Sequence, residues 1–195
     1  MTKSLHNPKC RGIIHFISSI LFPFYFYMTA SHFTFTKFLQ FFFTESQFIL
    51  SSIVHIFTSK TNIKRNLFYL KLDLINIVCL VSALQLDGLY ELKFYNLGII
   101  SILVLIFSLY LHQFSKYASI GLNYFASIAM WIYIDIYYDY NVKIIILISI
   151  CYSLGFLCYI CKCPKHSIFG YHELFHLIQT TCTLILVNDR IYTYI

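Results

Sequence analysis

The hydrophobic pattern divides the chain into long apolar stretches separated by short polar breaks such as "SKTNIKR", "DGLYELK" and "DYNVK". A helix needs about 20 mostly apolar residues to cross a bilayer, and the stretches have roughly that length. No long linker interrupts the series. The pattern therefore predicts an all-α integral membrane protein, a seven-transmembrane helix bundle that forms one domain over residues 1–195. The predicted spans are residues 13–31, 38–57, 67–86, 94–111, 117–138, 144–160 and 168–187.

Composition agrees with a membrane protein and excludes an ordinary soluble domain. Hydrophobic residues make up 59% of the chain and charged residues 11%, whereas a soluble domain has about 25% charged residues. The seven cysteines lie mostly in apolar stretches, where cysteine is a small buried hydrophobe, so we predict no disulfide framework. The run Cys158-x-x-Cys161-x-Cys163 before His166 fits no zinc-ligand spacing, and we interpret it as a helix end followed by a loop.

The distribution of Lys and Arg predicts the orientation of the bundle. Cytoplasmic loops of membrane proteins carry an excess of these residues. With seven spans and a cytoplasmic N-terminus, four of the 14 Lys and Arg lie outside: Lys37, Lys93, Lys143 and Arg190. The rest lie on the cytoplasmic side: Lys3, Lys9, Arg11, Lys60, Lys64, Arg65, Lys71, Lys116, Lys162 and Lys165. The C-terminus is then outside, and the net charge of +6 is a topology signal that predicts no nucleic-acid partner.

Ionisable residues inside the predicted spans gather at one membrane depth. Such residues are costly in a bilayer and are candidates for function. Ser51 and His55 are four residues apart, as are His172 and His176, so each pair shares one helix face. Asp73 lies near the start of the third span. All five residues fall at the cytoplasmic ends of their spans, so the topology predicts that three helices bring them together near the inner leaflet.

These residue types suit a zinc centre. Three neutral imidazoles leave one tetrahedral position open for water, whose pKa zinc lowers toward about 7. Asp73 could orient or deprotonate that water. Ser51 could hold the water or donate to a developing oxyanion. Asn76 follows Asp73 by one turn and Gln179 follows one of the histidines, so both are candidates for supporting hydrogen bonds.

Four further ionisable residues lie in or near the spans and are not assigned to the zinc centre. A histidine alone in a membrane helix usually forms a hydrogen bond to another helix. We interpret His15, His32 and His112 in that way. Glu45 has no partner that the sequence identifies.

Three motifs in this order resemble the hemolysin III and progestin/adipoQ receptor family, which includes the adiponectin receptors. They are "SSIVH" at residues 51–55, Asp73 after a basic loop, and "FGYHELFH" at residues 169–176. The opening "PKCRGIIH" also resembles the start of the bacterial-type members. The resemblance covers essentially the whole chain. The region "VCLVSALQLDG" after Asp73 departs from the family, because it lacks the Gly-Thr-Tyr type of motif.

The resemblance implies a zinc ion held by His55, His172 and His176, with Ser51 and Asp73 in the family's Ser and Asp positions. It also implies an internal cavity for a membrane lipid. For some members it implies hydrolysis of a ceramide-like lipid amide. We therefore expect a zinc-dependent lipid amide hydrolase that is a multi-pass protein of the plasma membrane or an endomembrane.

Two alternatives stay open at this point. The chain could be a non-enzymatic receptor or signalling protein with a structural zinc. It could also be an intramembrane metalloprotease, because residues 172–176 read H-E-x-x-H with Glu173 as the base, and Leu86-Asp87-Gly88 resembles the third-ligand motif of such proteases. The predicted topology opposes the protease, since Asp87 falls at the outer face.

Overall fold

The computed structural model describes residues 13–30, 32–57, 63–138, 142–165 and 170–188. This part of the chain is helical and contains no strand, which confirms the predicted all-α class. The helices are α1 (Ile13–Thr29), α2 (Phe35–Ser52), α3 (Ile63–Glu91), α4 (Tyr95–Leu111), α5 (Lys116–Tyr138), α6 (Lys143–Cys161) and α7 (Tyr171–Val187). A π-helical turn, Ile53–Phe57, continues directly from α2.

Helices that follow one another in the chain pack side by side around the bundle. α7 also packs against α1, so the ring of helices closes on itself. α3 contacts α2, α4, α5 and α7 and therefore lies nearest the centre of the bundle. Its apolar core includes the fully buried residues Ile77, Val78 and Leu80.

Three helices are long and apolar enough to cross a membrane: the segment Leu67–Glu91 of α3, α5 and α6. α1 and α4 are apolar but only 17 residues long. α2 and α7 carry many polar residues, which lowers their hydropathy. The structure thus agrees with a membrane protein, while the count of seven spans and the orientation remain predictions.

The second helix begins earlier than the predicted span and ends differently. Lys37, predicted to lie in an outer loop, is in the first turn of α2, where its N–H donates to Thr34 Oγ1 at 3.1 Å. Thr34 caps the helix because its hydroxyl satisfies a backbone N–H that the first turn leaves unpaired. The far end of α2 passes into the π-helical turn, which contains His55.

The bundle is apolar outside, and its interior combines the apolar core with many buried polar side chains. Large apolar side chains such as Phe24, Leu103 and Phe107 are more than half exposed. On α2, by contrast, the buried side chains form a polar stripe at helical spacing. Its members are Lys37, Gln40, Thr44, Gln47 and Ser51, each at most 1% exposed. This reversal of the soluble pattern is expected for a protein whose surroundings are lipid.

Several residues used for the orientation lie outside the described residues. They are Lys3, Lys9, Arg11, Lys60 and Arg190. The "PKCRG" of the opening motif, Phe169 of the third motif and His166 are also outside them.

Candidate metal centre

The three predicted ligands lie together at one end of the bundle. Ligand atoms of His55, His172 and His176 are all within 4.8 Å of one another. The ring centroids of His55 and His172 are 4.4 Å apart, and those of His172 and His176 are 4.3 Å apart. α7 and the end of α2 thus bring the three imidazoles to one point, as the sequence predicts.

The backbone carries His55 in a way that the sequence did not predict. We expected Ser51 and His55 to share a face of one continuous α-helix. Instead α2 ends at Ser52, and His55 lies in the π-helical turn Ile53–Phe57. A π turn adds a residue to the helical repeat and so redirects the side chains after it, and such turns are frequent at functional sites.

Contacts with two neighbouring helices hold α7 in place. A Cβ added at Gly155 of α6 would lie 3.3 Å from the Ile178 side chain of α7, so the two helices pack closely at this position. The Tyr152 hydroxyl forms a hydrogen bond with Thr183. On the other side, the Tyr25 hydroxyl of α1 donates to the carbonyl of Leu184 at 2.8 Å. These contacts fix the position of the two histidines on α7.

Glu173, the acid of the H-E-x-x-H string, is directed at the start of its own helix. Its Oε2 atom accepts a hydrogen bond from the Gly170 backbone N–H at 2.9 Å. Glu173 is the third residue of α7, the position from which a Glu side chain commonly reaches back to the helix start. The motif therefore has a structural use for its Glu that is independent of catalysis.

Asp73 is held by a network of amide side chains between α2 and α3. Gln47 Nε2 donates to Asp73 Oδ1 at 2.8 Å, and Asn76 Nδ2 donates to Gln47 Oε1 at 3.0 Å. Asn76 also donates to the carbonyl of Phe43 at 2.9 Å. Asn76 thus supports Asp73 through Gln47. The sequence analysis did not identify Gln47 as a candidate.

Asp73 and two of the histidines line the same cavity. It has a volume of about 20 Å³, enough for a water molecule, and its lining includes Asp73, His172 and His176. Ser51 lies beside the Asp73 carboxyl. Its buried hydroxyl does not reach hydrogen-bonding geometry with any group in the described ranges. The cavity can therefore place a small polar group between the histidines and the carboxylate.

His15 adjoins the three histidines through His176, contrary to our expectation. We interpreted it as a hydrogen-bond partner between helices, but neither of its nitrogens forms a hydrogen bond within the described part of the chain. Its ring lies 4.2 Å from that of His176. Membrane depth is the sequence signal that could have placed His15 near the site. His15 lies near the start of the first predicted span, at the membrane face where the other histidines also lie.

The centre fits a metal ion by the chemistry of its donors. Three imidazoles can converge on one ion, and His176 is buried with neither nitrogen hydrogen-bonded to a described group. Gln179 lies beside His176 but is likewise outside hydrogen-bonding geometry. Unpaired buried nitrogens are costly, and a bound metal ion would satisfy one nitrogen of each imidazole.

The other polar residues that the sequence singles out belong neither to the three converging histidines nor to the lining of the cavity. His32 pairs with Glu91 at 3.0 Å, at the opposite end of α3 from Asp73. Glu45 is half-buried, and its Oε2 has no hydrogen bond to a described residue. The cysteines at 158, 161 and 163 are free and at least partly exposed.

Comparison with protein-family models, with curated proteins and with solved structures found no match to this chain.

Proposed function

We propose that this chain is a zinc-binding, seven-span membrane protein of the hemolysin III and adipoQ receptor type, and that it hydrolyses a ceramide-like lipid amide. The observation that carries the proposal is the convergence of His55, His172 and His176 within 4.8 Å, beside a cavity that Asp73 also lines. The apolar surface of the bundle supports a substrate that reaches the site from the bilayer.

Each residue has a distinct role in this proposal. His55, His172 and His176 would hold zinc, which when bound polarises a carbonyl and activates water near neutral pH. Gln47 fixes the Asp73 carboxyl through Oδ1, so the other oxygen of that carboxyl is available to accept a proton from water.

Ser51 supplies the remaining polar group. Its hydroxyl donates to the amide oxygen as negative charge develops there, because a donor already in position stabilises that charge without reorganising. The buried hydroxyl is close to Asp73 and makes no hydrogen bond to the described residues that would compete with this role.

The experiment uses purified protein and a ceramide labelled on its acyl chain. We expect the wild type to release labelled fatty acid, and Asp73→Ala to lose this activity while it retains zinc. Asp135→Asn is a matched control, because Asp135 is a half-buried aspartate on α5 that does not line the cavity of the centre. Unchanged hydrolysis by Asp73→Ala would contradict the role of Asp73.

A receptor with a structural zinc is the second candidate, and the enclosure of the site favours it. Asp73 and His176 are only 3% and 4% exposed, and a cavity of about 20 Å³ holds a water molecule but is far smaller than a ligand pocket. This candidate predicts bound zinc without hydrolysis of any lipid amide. The metalloprotease alternative has less support, because Glu173 is engaged with Gly170 and Asp87 lies about 21 Å along α3 from Asp73.

A further inference from the structure

We propose that His15 binds the polar head group of the lipid that enters the histidine centre. This inference rests on the proposed function, because it assumes that the centre receives a lipid amide. It adds a residue from a fourth helical segment to those predicted for the site, and it assigns that residue to recognition of the head group.

The position of His15 is set by α1, which packs between α2 and α7. The side chain is 1% exposed and lies edge-on to His176, with 4.2 Å between ring centroids. Its other ring neighbour is Phe48 of α2, at 5.8 Å. His15 is therefore packed in the bundle interior, and one side of its ring adjoins the metal centre.

The hydrogen-bonding state of His15 indicates a ligand. Nδ1 and Nε2 are both buried, and neither has a partner among the residues that the structure describes. A neutral imidazole carries one donor and one acceptor. Leaving both unpaired in a buried site is costly, and polar groups in such positions are ordinarily satisfied by a ligand or ordered water.

His15 is placed to bind the lipid rather than the metal. Across the described ranges, the histidines whose ligand atoms lie within 4.8 Å of one another are His55, His172 and His176. His15 contacts one member of this trio and is not part of it. A side chain in that position can reach a molecule bound beside the metal without occupying the metal's open position.

The donor and acceptor of His15 match a ceramide-like head group. Such a head group has an amide carbonyl that accepts, and an amide N–H and hydroxyls that donate. A diester lipid without a hydroxyl offers only acceptors, so it can satisfy only the donor nitrogen of His15. His15 would therefore favour an amide lipid over an ester lipid, because the unmatched nitrogen stays unpaired with the ester.

The test measures binding of a short-chain ceramide to purified wild-type protein, His15→Gln and His15→Phe. Gln keeps a donor and an acceptor, whereas Phe fills the space with neither. We expect His15→Phe to bind about tenfold more weakly, the effect of one to two lost hydrogen bonds, and His15→Gln to stay within about threefold of wild type. All three proteins should retain zinc.

Controls separate head-group binding from a loss of structure. His112→Phe replaces a histidine at the end of α4 that does not line the cavity of the centre, and this variant should bind ceramide as wild type does. The affinity for an apolar diester lipid should differ less between wild type and His15→Phe than the affinity for ceramide does. His15→Leu provides a second apolar variant if the Phe side chain is too large to fold.

The outcomes distinguish this inference from the proposed function. Equal ceramide binding by wild type and both apolar variants would overturn the role of His15, as would loss of zinc from His15→Gln together with His15→Phe, which would make His15 a metal ligand. Ceramide binding that depends on His15 in a protein without zinc or hydrolysis would support the inference while the proposed function fails.

Discussion

The buried polar side chains near the two ends of α2 differ in whether they have partners within the described structure. At one end Lys37 Nζ lies 2.5 Å from Asp87 Oδ2, and both side chains are fully buried. At the other end the buried imidazoles of His15 and His176 make no hydrogen bond within the described part of the structure. One end holds opposite charges that neutralise each other, and the other holds buried imidazoles without hydrogen-bond partners in the described ranges.

The difference separates a structural use of buried polarity from a functional one. A buried ion pair is costly to break, because removing one partner leaves an uncompensated charge. The buried imidazoles of His15 and His176, which have no hydrogen-bond partner among the described residues, have no such structural role. We therefore expect substitutions at the Lys37 end to change stability, and substitutions at the histidine end to change what the protein binds.

Breaking the ion pair should have the largest effect on stability. Lys37→Met leaves Asp87 buried without its cation, which should lower the free energy of unfolding by about 3–5 kcal/mol. Thermal unfolding in detergent measures the loss, and bound zinc in the folded fraction should be unchanged. Lys143→Met, which removes an exposed lysine at the start of α6, should have little effect.

The double variant Lys37→Met/Asp87→Leu sharpens this prediction. Removing both charges should restore most of the stability, because an apolar pair of similar volume can replace a buried ion pair. Equal instability of the single and double variants would mean that the pair's charge is not what holds this end together.

Removing the metal should have the next largest effect, at the other end. Zinc that binds only the folded protein stabilises it by about 2.7 kcal/mol when free zinc is 100-fold above its dissociation constant. A chelator should therefore lower the unfolding temperature of the wild type and of Lys143→Met. The chelator should not affect His176→Ala, and an equal shift in that variant would place the metal elsewhere.

Loss of the Gln47 side chain should lower the rate of hydrolysis about tenfold. Gln47→Leu removes the hydrogen bond to Asp73 Oδ1, and one lost hydrogen bond of about 1.4 kcal/mol corresponds to that factor. Zinc content should not change. Gln40→Leu is the matched control, since Gln40 is equally buried on the same stripe and forms no hydrogen bond to a described residue.

Glu173 should give the smallest effect. Glu173→Ala removes the hydrogen bond to the Gly170 N–H and should destabilise the fold by about 1 kcal/mol, measured by thermal unfolding. Glu173→Gln should keep activity, since Gln can occupy the same position of a capping box. A large loss of turnover in Glu173→Gln would instead favour the metalloprotease.

Much of the candidate site was predictable, because membrane depth limits which side chains can meet. His55, His172 and His176 were placed together from the ends of their spans alone. The π-helical turn at His55 was not predictable, since helical spacing in the sequence does not reveal a local change of hydrogen-bonding pattern. The role of Gln47 was missed because it depends on how α2 and α3 are rotated against each other.

The fold was predictable to the level of helix order. Apolar length identified each helix, but the start of α2 was misplaced because Lys37 reads as a loop residue. Its burial depends on Asp87, which lies 50 residues away in the sequence, and a hydropathy pattern contains no information about that pairing. The position of His15 against His176 depends in the same way on the packing of α1 on α7.

The most direct test is the zinc content of purified protein, determined by elemental analysis for the wild type and His55→Ala, with His112→Ala as the control. We expect about one zinc per chain in the wild type and in His112→Ala, and essentially none in His55→Ala, because two imidazoles from α7 alone do not make a zinc site. A wild type without zinc, or a His55→Ala variant that retains it, would contradict the three-histidine centre.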